Sequence, residues 1–162
     1  MPRNSVIAVA KSLAAIPQLI HPSGRKLRST REYHAVGGAL GRHVLIIEDE
    51  ALISIEIEAL LSEHGFQSFD WATSPLQALH CAKGHRPDLI TADLRIVDGT
   101  GLEAVNAILA EMGDIPVVFV TANSDMLSGQ ALFPVVPKPI VPAQLAAACQ
   151  RVCQQAGAQY RG

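Results

Sequence analysis

Ile90-Thr91-Ala92-Asp93-Leu94 is a β-branched, apolar run that reaches a carboxylate at Asp93. Three other stretches share this form. Leu45-Ile46-Ile47 runs into Glu48-Asp49-Glu50, Val118-Phe119-Val120 runs into Thr121-Ala122, and Phe133–Val136 leads to Pro137-Lys138-Pro139. Continuous apolar runs of four to six residues fit strands buried on both faces, as in a parallel sheet. In an open parallel sheet the C-terminal strand ends converge on one crevice, where ligands bind. Two or three acids, one hydroxyl and one ammonium are therefore expected to meet there. That set suits an aspartate nucleophile with a divalent cation.

The segments between these runs read as helices. Residues 51–63 carry Leu52, Ile53, Ile55, Ile57, Leu60 and Leu61, with Glu56 and Glu58 on the wet side and Gly65 as a left-handed stop. Phe66–Trp71 is a shorter strand, whose Phe66, Phe69 and Trp71 read as core rather than as ligand-stacking rings. Ser74-Pro75 is an N-cap followed by proline at the first helical position, and Gly84 ends that helix. Pro87–Ala92 is the third strand. Asp98-Gly99-Thr100-Gly101 is a turn, with Thr100 placed to cap a helix over 101–112. Pro116–Val120 is the fourth strand, residues 124–130 hold at most a short helix, and Phe133–Val136 is the fifth strand. A last helix runs from Pro142 to about Gln155, with Leu145, Ala148, Cys149 and Val152 inward. Five β-α repeats imply an α/β fold, a parallel sheet with helices on both faces.

Charge divides the chain. Residues 1–42 hold seven basic residues (Arg3, Lys11, Arg25, Lys26, Arg28, Arg31, Arg42) against Glu32, a net of +6, so the remainder carries −8 of the total −2. Asn4 or Ser5 caps a candidate helix over 4–16, and the Gly37-Gly38 and Gly41 stretch reads as linker. Residues 1–42 are therefore expected to be a basic arm, mostly disordered apart from that helix. A domain at 43–157 and a tail at 158–162 follow. The arm is either an interaction tail or a solvated extension. Three cysteines (Cys81, Cys149, Cys153) are too few for a secreted framework and lack zinc spacing; Cys149 and Cys153 should share a buried helix face. The six histidines form no HxxxH or HExxH pattern. No apolar run reaches the roughly 18 residues of a membrane span. Lys11 splits the one candidate signal core, so a cytoplasmic location is expected. The Arg-rich, acid-poor start also has the composition of an organelle transit peptide.

Glu48-Asp49-Glu50, Asp93 with Asp98-Gly99-Thr100-Gly101-Leu102, Thr121-Ala122 and Lys138-Pro139, in this order and spacing, resemble the receiver domain of bacterial two-component response regulators. The resemblance spans residues 43–155 and implies the flavodoxin-like (CheY-like) strand order 2-1-3-4-5. It implies that Asp93 is the phosphoacceptor, taking a phosphoryl group from a histidine kinase or a histidine phosphotransfer protein. It further implies Mg²⁺ held by Glu48, Asp49, Asp93 and the backbone carbonyl of Arg95 through hard oxygen ligands. Thr121 would donate to a phosphoryl oxygen, and Lys138 would pair with Asp93 before transfer and with the phosphoryl group afterwards. A cis Lys138–Pro139 bond is expected for the same reason. Activity would be confined to the domain's own phosphorylation and dephosphorylation, with no other enzyme reaction. Taken singly, each residue has a plainer reading: Asp93 as a helix cap, Thr121 as a strand residue, Lys138 as a surface charge. Glu50 reads as a first-turn acid favoured by the helix dipole. The conjunction at four strand ends favours the site.

The sequence departs from the family pattern in three places. Thr121 and Lys138 are 17 positions apart, about five fewer than usual, so the fourth helix is expected to be short or irregular. Val135 stands where the family has an aromatic switch residue, with Phe133 two residues earlier on the same strand face. Ile96-Val97 replaces the common Met-Pro. These features, with residues 98–111, resemble the receivers of alphaproteobacterial general-stress regulators, which carry a sigma-factor-like domain and bind an anti-sigma factor when phosphorylated. Residues 1–42 are too short for such a domain, so a stand-alone receiver is expected. Its downstream partner is an unnamed protein, with phosphorylation-dependent homodimerisation a further candidate. No DNA-binding domain or membrane segment is expected. The alternative is a receiver-like module that binds protein independently of phosphorylation. A small flavodoxin-like enzyme or nucleotide binder ranks last, since no Gly-rich loop follows the first strand.

Overall fold

The computed structural model describes residues 42–123 and 133–159. The chain divides into two units, Met1–Leu40 and Gly41–Gly162. The first unit, with the helix expected at 4–16 and the disorder expected for the arm up to residue 41, lies outside the described residues. So does the short helix expected at 124–130. Arg42, expected to close that arm, instead opens the first strand.

The elements follow in order: β1 (Arg42–Ile47), α1 (Ala51–Glu63), β2 (Phe66–Ala72), α2 (Pro75–Gly84), β3 (Leu89–Ala92), β4 (Arg95–Ile96), β5 (Gly99–Thr100), α3 (Gly101–Met112), β6 (Val117–Thr121), β7 (Val135–Pro137) and α4 (Pro142–Gln159). β4 and β5 form a separate two-residue antiparallel hairpin where the sequence suggested only a turn. The main sheet has the order β2-β1-β3-β6-β7, and every pairing in it is parallel. With the hairpin set aside this is the expected 2-1-3-4-5 order.

Alternation along the strands sorts the core into two layers. Leu45, Ile47, Ile90, Ala92, Val117 and Phe119 pack on one face against Ala78 and Ala82 of α2 and Ala104, Val105 and Ile108 of α3. Val44, Ile46, Leu89, Val118, Val120 and Val136 pack on the other against Ile57 and Leu61 of α1 and Leu145, Ala148, Cys149 and Val152 of α4. Cys153 joins the second layer, as the four-residue spacing requires, and burial pushes the Cys149 thiol up to about 12.

Local signals fix the helix ends. Gly65 takes φ +83 after α1, a left-handed conformation that glycine adopts without a side-chain penalty. Ser74 caps α2 by accepting from the Gln77 amide. Thr100 and Glu103 form a reciprocal capping box on α3, with Thr100 Oγ1 accepting at 3.2 Å and Glu103 Oε2 accepting at 2.8 Å.

Three expectations are corrected. Leu52 and Ile55 lie in solvent, Leu52 being 80% exposed, because α1 turns its Ser54, Ile57 and Leu61 stripe to the sheet, with Ile53 and Leu60 at its margin. Trp71 is 40% exposed rather than core, since β2 is an edge strand; its indole Nε1 donates to Glu58 Oε2 at 2.9 Å. The last sheet strand is Val135–Pro137 rather than Phe133–Val136, because pairing begins at Phe119↔Val135.

Candidate phosphoacceptor site

The sheet delivers four functional side chains to one end. β1 stops at Ile47, and Glu48 follows with its amide bonded to the Ala72 carbonyl at 2.8 Å. β3 stops at Ala92, and the Asp93 amide donates to the Ile47 carbonyl at 2.9 Å, so the acid after β3 sits beside the acids after β1. The Lys138 amide donates to the Thr121 carbonyl at 3.1 Å, extending the β6–β7 pairing by one step. The Lys138–Pro139 bond is cis, as expected.

Lys138 Nζ is the hub of this end. It lies 2.7 Å from Asp93 Oδ2, 2.8 Å from Glu48 Oε2 and 3.5 Å from Glu50 Oε1. Asp93 is 6% exposed and Glu48 2%. Burying charges costs free energy unless they are paired, so the ammonium compensates two buried carboxylates at once. Burial pushes the Glu48 carboxyl up, against the pull of Lys138. Burial alone would lower Lys138, but contact with Asp93 and Glu48 outweighs it and raises the ammonium above its ordinary value. Asp93 Oδ1 accepts from the Arg95 amide at 3.3 Å, which fixes the carboxylate plane.

Thr121 is fully buried at the end of β6, two residues beyond the Ala92↔Phe119 pair, with its Oγ1 accepting from the Asn123 amide at 3.1 Å. The loop after Asp93 is tightly packed. Gly101 donates its amide to the Leu94 carbonyl at 3.1 Å, and a Cβ there would overlap the Asp93 carbonyl oxygen. Only glycine lets the start of α3 approach the Asp93 backbone this closely.

Carboxylate oxygens of Glu48, Glu50 and Asp93 lie within 4.8 Å of one another. Three hard oxygen donors fit Mg²⁺ chemistry. Glu50 enters this group although its sequence reading was only that of a first-turn acid. It is the N-cap of α1 without a side-chain capping bond, which leaves its carboxylate free to face Lys138. Asp49 is exposed and lies outside that set. Arg95 contributes its amide to Asp93 as one residue of the β4–β5 hairpin. The aromatic position has a structural counterpart: Phe133 meets Phe119 edge-on at 5.8 Å, while Val135 is half-buried on β7.

Comparison with known proteins agrees with this architecture. The family model of the response regulator receiver domain matches residues 44–150. The phyllosphere-induced regulator PhyR of Methylorubrum extorquens is 33% identical over 140 residues, covering 83% of this chain and 49% of its own length. The transcriptional regulatory protein PdtaR of Mycobacterium tuberculosis is 36% identical over 86 residues, covering 53% of this chain and 42% of its own. The chain thus spans about half the length of these curated relatives. Among solved structures, the receiver domain of Erythrobacter litoralis PhyR has a TM-score of 0.64 at 33% identity, covering 71% of this chain and 92% of that one. Brucella abortus PhyR has a TM-score of 0.63 at 26% identity, covering 83% and 62%.

Proposed function

The chain belongs to the response regulator receiver domain family, and on that premise we propose that it accepts a phosphoryl group on Asp93 and signals by protein–protein interaction. The observation that carries this reading is the buried Asp93 carboxylate held 2.7 Å from Lys138 Nζ, beside the carboxylates of Glu48 and Glu50. In the reaction, an Asp93 carboxylate oxygen attacks the phosphorus of a phosphohistidine on a kinase or phosphotransfer protein. The P–N bond breaks, the P–O bond forms, and the imidazole leaves with the bonding pair. Lys138 orients the nucleophile beforehand and neutralises the phosphoryl oxygens afterwards. The Thr121 hydroxyl turns from the Asn123 amide to donate to a phosphoryl oxygen. Glu48 and Asp93, with Asp49, Glu50 or the Arg95 carbonyl, would hold Mg²⁺, which would supply charge neutralisation between the anionic nucleophile and donor.

The same reading takes 42–157 as the receiver, since Arg42 opens β1, and the residues before it as a basic arm that the fold does not need. It goes with a cytoplasmic location, and no helix among the described residues is long and apolar enough to cross a membrane. Incubation with Mg²⁺ and acetyl phosphate, followed by intact mass and site mapping, tests the site. A Mg²⁺-dependent gain of one phosphoryl group that Asp93→Asn abolishes is expected; full labelling of that variant would overturn the assignment. Deleting residues 1–40 should leave the melting temperature unchanged, and a large drop would refute the arm's dispensability.

A second reading rests on β7. Val135 occupies the switch position and Phe133 is engaged with Phe119, so coupling of Thr121 to an aromatic swing lacks its usual partner. A module that docks irrespective of phosphorylation fits that observation. Equal partner affinity before and after phosphorylation would select it.

A further inference from the structure

The opposite end of the sheet holds a second cluster, which the phosphoryl-transfer reading does not use. His43, the second residue of β1, is 2% exposed. Its register partner is Ser68, and Asp70 stands two residues further along β2 on the same face. His85 follows α2 and stacks on His43, with ring centroids 3.7 Å apart and planes 13° apart. One ligand-type atom from each of His43, Asp70 and His85 lies within 4.8 Å of the other two.

His43 turns one ring nitrogen to Ser68 and the other to Asp70. Nδ1 lies 2.9 Å from Ser68 Oγ, and the backbone amide donates to Asp88 Oδ2 at 2.8 Å. Nε2 is buried and makes no hydrogen bond, yet it lies 3.3 Å from Asp70 Oδ2. When Nδ1 donates to the serine, Nε2 presents a lone pair to a carboxylate. Two acceptors at that separation repel unless a proton or a metal cation lies between them. A buried imidazole whose far nitrogen is fixed by a hydroxyl, facing a carboxylate and a second imidazole, matches the arrangement of first ligands and their supports at protein metal centres. Imidazole nitrogens with one carboxylate oxygen suit zinc and its neighbours rather than Mg²⁺.

We infer that His43, Asp70 and His85 form a binding site for a divalent transition-metal ion of the zinc class, separate from the acidic pocket. His43 is the fixed ligand. The exposed His85 lies beyond the last residue of α2, where a rotamer change can bring its nitrogen out of the parallel stack and toward Asp70. Three protein ligands leave a fourth position for water, which is the pattern of an exchangeable rather than a closed structural site. Bound metal would tie β1, β2 and the segment entering β3 together at the end remote from Asp93.

The test uses the full chain stripped with chelator and held in excess Mg²⁺, so that oxygen-rich sites are filled. Zn²⁺ is titrated against a chromophoric chelator, and Co²⁺ is followed by its visible absorption. Wild type should take up one Zn²⁺ per chain and give a Co²⁺ spectrum with nitrogen ligation. His85→Ala and Asp70→Asn, at partly or fully exposed positions, should each weaken Zn²⁺ by more than about tenfold. His80→Ala, an exposed histidine outside the group, should bind as wild type does. Zn²⁺ should also raise the melting temperature of wild type but not of His85→Ala. Undiminished Zn²⁺ affinity in His85→Ala would place the ion elsewhere, and absence of stoichiometric uptake by wild type would remove the site; either result overturns the inference. Phosphoryl uptake on Asp93 is independent of these readouts, so the two sites fail or stand separately.

Discussion

The two ends of the sheet solve the burial of polar groups in opposite ways. At the C-terminal end, Lys138 sits among Glu48, Glu50 and Asp93, and charge answers charge within the chain. At the N-terminal end, His43, His85 and Asp70 gather without an ammonium or guanidinium among them, and a buried nitrogen is left without a hydrogen bond. The first arrangement is complete within the chain, and under the proposed function the ammonium exchanges a carboxylate for a phosphoryl group. The second has only the His43–Asp70 pairing at 3.3 Å, and under our inference an ion from solution completes it. On the two proposals, compensation by a flexible lysine makes a site that switches, and compensation left to an ion from solution makes one that responds to supply.

Four substitutions sharpen this contrast, in falling order of effect. Gly101→Ala places a methyl group against the Asp93 carbonyl, where backbone must move; a loss of about 3 kcal/mol in urea unfolding is expected. A loss under about 1 kcal/mol would show that the loop after Asp93 is looser than its packing indicates. Lys138→Met leaves the two buried carboxylates without their cation. It should lower stability by about 2–3 kcal/mol at neutral pH and slow phosphoryl uptake at least about tenfold. If added Mg²⁺ restored the stability but not the rate, the structural and catalytic parts of the lysine would be separated. His43→Leu, measured in chelator, should cost only about 1 kcal/mol, since Ser68 and Asp70 regain water. A cost equal to that of Lys138→Met would erase the contrast between the ends. Trp71→Phe removes one exposed bond to Glu58 and should change stability by about 0.5 kcal/mol or less.

The sequence made one end legible and concealed the other for a physical reason. Strands buried on both faces must be apolar along their length, so a charge at a strand end stands out, and Asp93, Thr121 and Lys138 could each be placed from the primary structure. Glu50 was harder, because its role depends on α1 being capped without its carboxylate. The histidine cluster has no local signature at all. His43 and Ser68 are 25 residues apart and meet through the β1–β2 register, while His85 arrives on the far side of α2. Leu52, Ile55 and Trp71 misled for a related cause. Their hydrophobicity is real, but only helix rotation and strand order decide which apolar side chains face inward.

β1 carries a consequence beyond either end. Four of its six residues, Val44 to Ile47, serve two apolar layers alternately; the strand holds His43 near its start and aims Glu48 just past its finish. Losing or gaining a single residue inside Arg42–Ile47 would therefore be no local edit. It would exchange the layers, turn one end's ligand away and pull the other end's acid out of reach together. Length variation in this molecule should be tolerated in the connections and excluded from this one strand, which acts as the ruler against which both chemistries are set.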